Sequence, residues 1–154
     1  MLALESRCMS LRPEPARPHD LRGALDLLGR SDLPQQDVAE RWGHYFVVRE
    51  DDGRVIGVAG LEVHAEDGLL RSLAVDDDYR GQGLAAALVG AVLERAKLLG
   101  LGSVYLLTTS ARDYFGRLGF VLRRREDAPP AVRESWEFRV GCPATAALMS
   151  RRVD

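Results

Sequence analysis

Apolar and polar positions alternate along this chain in two distinct rhythms. Tyr45-Phe46-Val47-Val48-Arg49 is dense in aromatic and β-branched side chains and predicts a strand. Asp51-Asp52-Gly53 follows as a hairpin turn, and Arg54–His64 reads as the return strand. Gly57 and Gly60 within it predict a bulge or a close backbone approach. Glu66-Asp67-Gly68 is a second tight turn and Leu69–Val75 a third strand, completing an antiparallel meander. The rhythm then becomes helical. Over 83–99, Leu84, Leu88, Val92 and Leu99 mark one stripe, with Ala87 and Ala91 beside it. Glu94, Arg95 and Lys97 take the other side, and Gly100 closes the helix. Ser103–Thr108 is a nearly continuous apolar run, as expected of a strand covered on both faces. Strand, helix and strand in this order predict that 69–75 and 103–108 are parallel neighbours.

The flanks carry weaker signals. Residues 1–10 read as a leader or a loose first strand, and the prolines of Leu11–Pro18 force an extended or turn-like path. His19 or Asp20 caps a helix marked by Leu21, Ala24, Leu25 and Leu28. Gly29 or Ser31-Asp32-Leu33-Pro34 stops it, and a second short helix is expected over 35–41. Beyond Thr108 the pattern predicts a short helix from about Ala111 to Leu118, ended by Gly119, and a strand at Phe120-Val121-Leu122. A helix over 130–138, opened by Pro129-Pro130, and a last strand over Ala146–Arg151 complete the order. The result is an α/β (α+β) architecture: a central mixed, mostly antiparallel sheet with helices on both faces. At 154 residues the chain has the length of one domain, 1–154.

Composition narrows the partners. A net charge of −2 gives no reason to expect nucleic acid or an anionic membrane. No apolar run reaches the ~18 residues that span a bilayer. The opening MLALESRCMSLRP is too short and too interrupted for a secretory signal, which predicts a cytoplasmic protein. Cys8 and Cys142 and the scattered His19, His44 and His64 lack metal-ligand spacing, so two free thiols and no metal are expected.

The chemistry concentrates in Arg80-Gly81-Gln82-Gly83-Leu84-Ala85, between the third strand and the long helix. A glycine-rich loop feeding a helix N-terminus is an anion site, because unpaired N–H groups and the helix dipole both face the ligand. A triphosphate-binding Walker loop would need Lys-Ser/Thr after its last glycine, where Leu84-Ala85 stands. Gly81-x-Gly83-x-x-Ala86 has the letters of a dinucleotide fingerprint. Asp76–Arg80 intervenes where that fingerprint turns tightly, and the next strand ends in Thr108-Thr109 rather than an acidic residue.

The loop instead resembles, letter for letter, the Arg/Gln-x-x-Gly-x-Gly/Ala loop of the GNAT superfamily of acyl-CoA N-acyltransferases. The order around it is also similar: LxxLAV strand, acidic-Tyr-Arg turn, loop, helix, strand, and short helix ending Leu118-Gly119-Phe120. The resemblance spans about 11–125. Leu106–Phe120 resembles the acetyltransferase domain of N-acetylglutamate synthases. The tail, with Asp127–Arg133, Glu137-Phe138 and Cys142-Pro143-Ala144, looks like the small acetyltransferases of arsenic-resistance operons.

This resemblance implies acetyl-CoA as co-substrate, its pyrophosphate on the loop Arg80, Gly81, Gln82, Gly83, Leu84 and Ala85. The pantetheine arm would pair with Leu73, Ala74 and Val75 as an added strand. A backbone N–H near Leu73 would polarise the thioester carbonyl. Phe115 occupies the place near the CoA sulfur where many of these enzymes carry a tyrosine acid. Tyr114 stands one position earlier, rotated by ~100° on a helix. The Asn often present in the motif is absent, and Thr108 stands near its place. Glu62 is the candidate base, and His64 shares its face if side chains alternate. Arg71 is a candidate clamp for a substrate carboxylate or oxyanion. Trp136 and Phe138 line a pocket or belong to the core. The implied reaction is direct acetyl transfer to the amine of a small molecule, an amino acid or a toxic analogue. An α-amine, with a pKa of ~7.7–8.0, needs less help to attack than a lysine amine at ~10.4. A protein N-terminus or lysine as acceptor, and an acyl-CoA sensor without turnover, are the alternatives. The tail strand is a candidate homodimer contact.

Overall fold

The hairpin predicted at Asp51-Asp52-Gly53 organises the first half of the chain. The computed structural model describes residues 11–154. Cys8 and the leader or first strand expected over 1–10 lie outside the described residues. Strand β1 (Glu14–Pro15) pairs antiparallel with β2 (Tyr45–Arg49), which pairs antiparallel with β3 (Val55–His64). Strand β4 (Asp67–Val75) follows. It starts at Asp67 rather than Leu69, because the reversal is made by Ala65, at φ +59°, and Glu66. Helix α1 (Leu21–Arg30) buries Ala24, Leu27 and Leu28 against Tyr45, Val47, Val55, Val58 and Ala74, with Leu21 and Leu25 packed at the margin.

The helix expected over 35–41 does not form. Asp37 is left-handed, at φ +69°, which breaks a helical turn, and a 3-10 turn follows later, at Ala39–His44. That turn sets Trp42, whose indole donates to the Arg17 carbonyl at 2.9 Å and stacks 5.0 Å from the Tyr45 ring.

Helix α2 (Leu84–Leu98) buries Leu84, Leu88, Val89, Val92 and Ala96. The predicted stripe therefore ends at Ala96. Leu99 lies past the last helical residue and is exposed, as is Ala87. Strand β5 (Ser103–Thr108) runs parallel to β4 at Gly68↔Val104 and Leu69↔Tyr105, as the strand-helix-strand order predicts. Helix α3 (Arg112–Arg117) leads to β6 (Val121–Arg123), and α4 (Pro130–Arg133) precedes the last strand β7 (Ala147–Arg152). β7 is antiparallel to both β5 and β6, giving a seven-stranded sheet in the order β1-β2-β3-β4-β5-β7-β6. Among the described residues no helix is long and apolar enough to cross a membrane.

The helix expected over 130–138 stops at Arg133. Ser135 intervenes: its Oγ accepts the Phe138 N–H at 3.2 Å, a side-chain bond that competes with the helical ladder. The chain then makes a π turn over Glu137–Gly141, closed by the Cys142 N–H on the Glu137 carbonyl at 3.0 Å. Gly141 lies against the Trp136 ring so closely that a Cβ there would overlap it.

The described chain forms two compact units, each discontinuous in sequence. One comprises the chain up to Gly60 together with Ser72–Val92. The other comprises Leu61–Arg71 and Leu93–Asp154, with Leu69, Ala128, Val132 and Leu148 in its core and Tyr105, Leu107 and Phe138 beside them.

Candidate active site

In the first unit, β4 carries an irregularity at Ser72, whose φ of +62° puts a non-glycine residue in the left-handed region inside a strand. Tyr45 holds it there. The Tyr45 ring lies over Gly60, where a Cβ would overlap the aromatic atoms, and its hydroxyl bonds the Ser72 hydroxyl at 2.9 Å. The close approach expected at Gly60 thus serves this ring. Beyond Ser72, Ala74 enters the core, whereas Leu73 and Val75 are half-buried.

The acidic turn is built around Asp76, which the sequence presents only as one of three adjacent aspartates. Its carboxylate is buried, accepting from Arg54 Nη2 at 2.7 Å, Arg30 Nη1 at 3.1 Å and the Asp78 N–H at 3.0 Å. The Asp78 N–H and the two guanidinium groups hold it below the usual carboxylate range, against the effect of burial. Its own N–H donates to the Ile56 carbonyl at 2.8 Å, and the Tyr79 hydroxyl donates to Glu50. Both ends of the turn are therefore fastened.

Gly81 and Gly83 are left-handed, at φ +80° and +81°, and nothing lies within 4 Å of a Cβ built on either. Torsion, not crowding, demands glycine there, and the space in front of the loop is open. The Ala87 N–H donates to the Gly83 carbonyl at 3.1 Å, so the amides of Leu84, Ala85 and Ala86 are the orphan donors of the first turn. Gln82 and Arg80 are exposed, Arg80 pairing with Asp77 at 3.0 Å, while Leu84 anchors the helix in the core. An exposed row of backbone donors at a helix start fits a diphosphate.

In the second unit, Glu62 on β3 and Arg71 on β4 meet in a buried ion pair. They are 1% and 3% exposed, with Arg71 Nη1 2.8 Å from Glu62 Oε2. Glu62 Oε1 accepts from His64 Nε2 at 2.7 Å, so the expected shared face is real. Burial pushes the Glu62 carboxyl up, but His64 and Arg71 together hold it below its ordinary value. The Arg71 guanidinium also lies 5.5 Å from the centroid of the Trp136 ring, a cation–π contact.

The residue after Trp136 was not singled out in the sequence, though a carboxylate between Trp136 and Phe138 is itself a signal of a buried charge. Glu137 is 6% exposed, and its Oε2 has no hydrogen-bond partner. The carboxyl also meets the Cys142 thiol. Burial drives the Glu137 carboxyl up to about 7, partly countered by Arg71 and reinforced by Glu62. Burial and the adjacent Glu137 push the Cys142 thiol up to about 12, which leaves it unreactive as a nucleophile.

Tyr114 and Phe115 diverge on α3 as their helical offset requires. Phe115 is buried edge-on to Phe120, centroids 5.8 Å apart. Tyr114 is half-buried under the Arg117 guanidinium, and burial raises its phenol above the ordinary range. The Thr108 hydroxyl accepts the Ala111 N–H at 3.0 Å, so it supports the start of α3.

Residues 8–120 match the model of the Acetyltransferase (GNAT) family, and the chain belongs to that family. Enzymes of this family are N-acetyltransferases that use acetyl-CoA as co-substrate. The chain is 28% identical over 128 residues to an amino-acid acetyltransferase from Mannheimia succiniciproducens, covering 82% of this chain and 28% of the relative. It thus spans little more than a quarter of the curated relatives it matches. It superposes with a TM-score of 0.80 and 18% identity on N-acetylglutamate synthase from Neisseria gonorrhoeae complexed with coenzyme A and N-acetyl-glutamate, covering 94% of this chain and 35% of that one. A GNAT family N-acetyltransferase from Escherichia coli in complex with CoA gives a TM-score of 0.69 at 28% identity, covering 94% and 83%.

Proposed function

We propose that this protein transfers the acetyl group of acetyl-CoA to the amine of a small molecule, an amino acid or an amino-acid analogue. The observation that carries the acceptor class is the buried Glu62–Arg71 pair, with Arg71 seated on Trp136. Its strand, β4, runs directly into the residues proposed for the cofactor. A fixed guanidinium fork suits a carboxylate or a tetrahedral oxyanion on the acceptor. The amino-acid acetyltransferases that this chain resembles support the same class.

On this reading acetyl-CoA supplies an acyl group already activated as a thioester. The amides of Gly81, Gln82, Gly83, Leu84 and Ala85 hold its diphosphate, with Arg80 adding charge at the rim. Leu73, Ala74 and Val75 offer backbone groups to the pantetheine, and a backbone N–H near Leu73 stabilises the oxyanion; losing such a donor typically costs about 3–4 kcal/mol. Arg71 orients the acceptor. Glu62 keeps Arg71 and His64 in register: with both oxygens engaged it is a weak base, and we assign it positioning rather than proton removal. Phe115 packs behind the thioester end, and Tyr114 contributes little. The reaction takes place in the cytoplasm, where acetyl-CoA is available.

Release of free CoA, followed with a panel of amino acids, oxyanion-bearing amino-acid analogues, polyamines and short peptides, tests this reading. Turnover is expected with the amino acids and analogues. Faster turnover with peptides would favour a protein acetyltransferase. No release with any amine, while CoA still binds, would favour an acyl-CoA sensor.

A further inference from the structure

Ser72 holds a conformation that its own chemistry does not favour. Among the described residues four that are not glycine are left-handed, and Asp32, Asp37 and Ala65 lie in turns. Ser72 alone of these lies inside a strand, at φ +62°. A residue in this region persists where its surroundings over-determine it, and such residues gather where geometry serves function. Glycine would take the same conformation freely; serine has to be held in it.

The hold comes from Tyr45. Its side chain is 1% exposed, and its hydroxyl bonds the hydroxyl of Ser72, itself buried, at 2.9 Å. Tyr45 stands opposite Gly60 in the β2–β3 register, and a Cβ at Gly60 would come within 2.3 Å of the ring. Trp42 stacks on the ring with centroids 5.0 Å apart, and its indole is fixed in turn by the Arg17 carbonyl. The phenol is therefore seated from β2, β3 and the 3-10 turn before its hydroxyl meets β4. Tyr45, Gly60, Ser72 and Leu73–Ala85 all belong to the first compact unit.

We propose that Tyr45 is a positioning residue for acetyl transfer: its hydroxyl, through Ser72, fixes the left-handed point in β4 that aims the Leu73 N–H at the acetyl carbonyl oxygen. This rests on the acetyltransferase reading above and concerns the acyl donor alone. A left-handed residue turns the adjacent peptide planes out of the regular alternation of a strand, as at a bulge, where a backbone group is left unpaired by the ladder. An N–H aimed in this way matters most when negative charge gathers on the carbonyl oxygen during transfer. Its aim is therefore read in kcat rather than in the affinity for acetyl-CoA. Tyr45 acts through Ser72 and takes no part in the bond changes.

The test uses the full chain with an amino acid accepted in the panel, at a temperature where circular dichroism shows the variants folded. Tyr45→Phe removes only the hydroxyl. It should lower kcat about 10- to 100-fold, as a misplaced donor does, and leave acetyl-CoA affinity in calorimetry unchanged. Adding Ser72→Gly to Tyr45→Phe should recover most of the lost kcat, because glycine takes the left-handed point without a clamp. A loss of stability alone would not be repaired in this way, since glycine also loosens the unfolded chain. A folded Tyr45→Phe with wild-type kcat, a loss seen in acetyl-CoA affinity instead of kcat, or no recovery with Ser72→Gly would overturn the proposal and leave the acetyltransferase reading standing. Should Tyr45→Phe not fold, Ser72→Ala and Ser72→Gly make the same division. Alanine should then lower kcat about tenfold more than glycine, and equal losses would overturn the proposal. If the wild type acetylates no amine, the acetyltransferase reading fails and this one with it.

Discussion

The glycine loop and the Glu62–Arg71–Glu137 cluster are built in opposite ways. The loop is exposed, offers backbone amides, and depends on torsion at Gly81 and Gly83 more than on any side chain. The cluster is buried, works through side chains, and depends on each charge having the right neighbour. A site of the first kind tolerates many neighbours and recurs as a short motif. A site of the second kind is private to its fold, because its members come from β3, β4 and the π turn. The difference teaches where each half should fail.

The largest effect is expected at the loop. Gly83→Asp forces a side chain onto φ +81° and sets a carboxylate among the amides proposed to hold a diphosphate. Acetyl-CoA affinity should fall by more than 100-fold in calorimetry with little change in fold, and an unchanged affinity would break the comparison at its first term. At the cluster the loss should appear as stability. Arg71→Ala strands the Glu62 carboxylate in the interior, which typically costs about 3–5 kcal/mol. Chemical denaturation should show it, and a loss below about 1 kcal/mol would mean that the pair is not buried in solution.

The two carboxylates of the cluster should also oppose each other in pH. Glu62, held below its ordinary value, contributes stability that is present above about pH 4.5 and lost as pH falls through its lowered value. Glu137 keeps a proton in the folded chain that the unfolded chain has released between about 4.5 and 7. Its contribution therefore worsens as pH rises through that window, by up to about 3 kcal/mol. Urea midpoints at pH 5 and pH 8 should show Glu137→Gln gaining on the wild type at the higher pH. A constant difference between the two would contradict a buried, protonated Glu137. The smallest effect is expected at Tyr114: Tyr114→Phe should lower turnover less than tenfold, and a loss of several hundredfold in a folded protein would restore it as the acid.

The same contrast explains what was legible in the sequence. The backbone of Arg80–Ala85 could be read because left-handed turns leave their signature in glycine spacing, and the strand-helix-strand pattern around it follows from periodicity. Glu62 and Arg71 stood out as polar residues on apolar strands, but not as partners, since their meeting depends on the left-handed Ala65 and the register it sets. Asp76 looked like one solvated aspartate among three until Arg30 and Arg54 closed on it from elements remote in sequence. Glu137 was hidden by a local cause. Pro129-Pro130 predicts a helix over 130–138, but it stops at Arg133, and the Ser135 hydroxyl takes the Phe138 N–H that an unbroken helix would have used. Leu99 misled because the apolar period runs up to Gly100 on paper, whereas the last helical residue is Leu98.

Ser72 joins the two halves of this comparison, since the boundary between the compact units falls beside it, at Arg71. A left-handed residue inside a strand resets which side chains face which way, so the segments before and after it need not keep a common phase. Held by Tyr45 over Gly60, it acts like a stitch that isolates one length of cloth from tension in the next. If Arg71 meets the acceptor and Leu73–Ala85 the acyl donor, as proposed, substitutions in Leu61–Arg71 should change which amines react and leave acetyl-CoA affinity as it is.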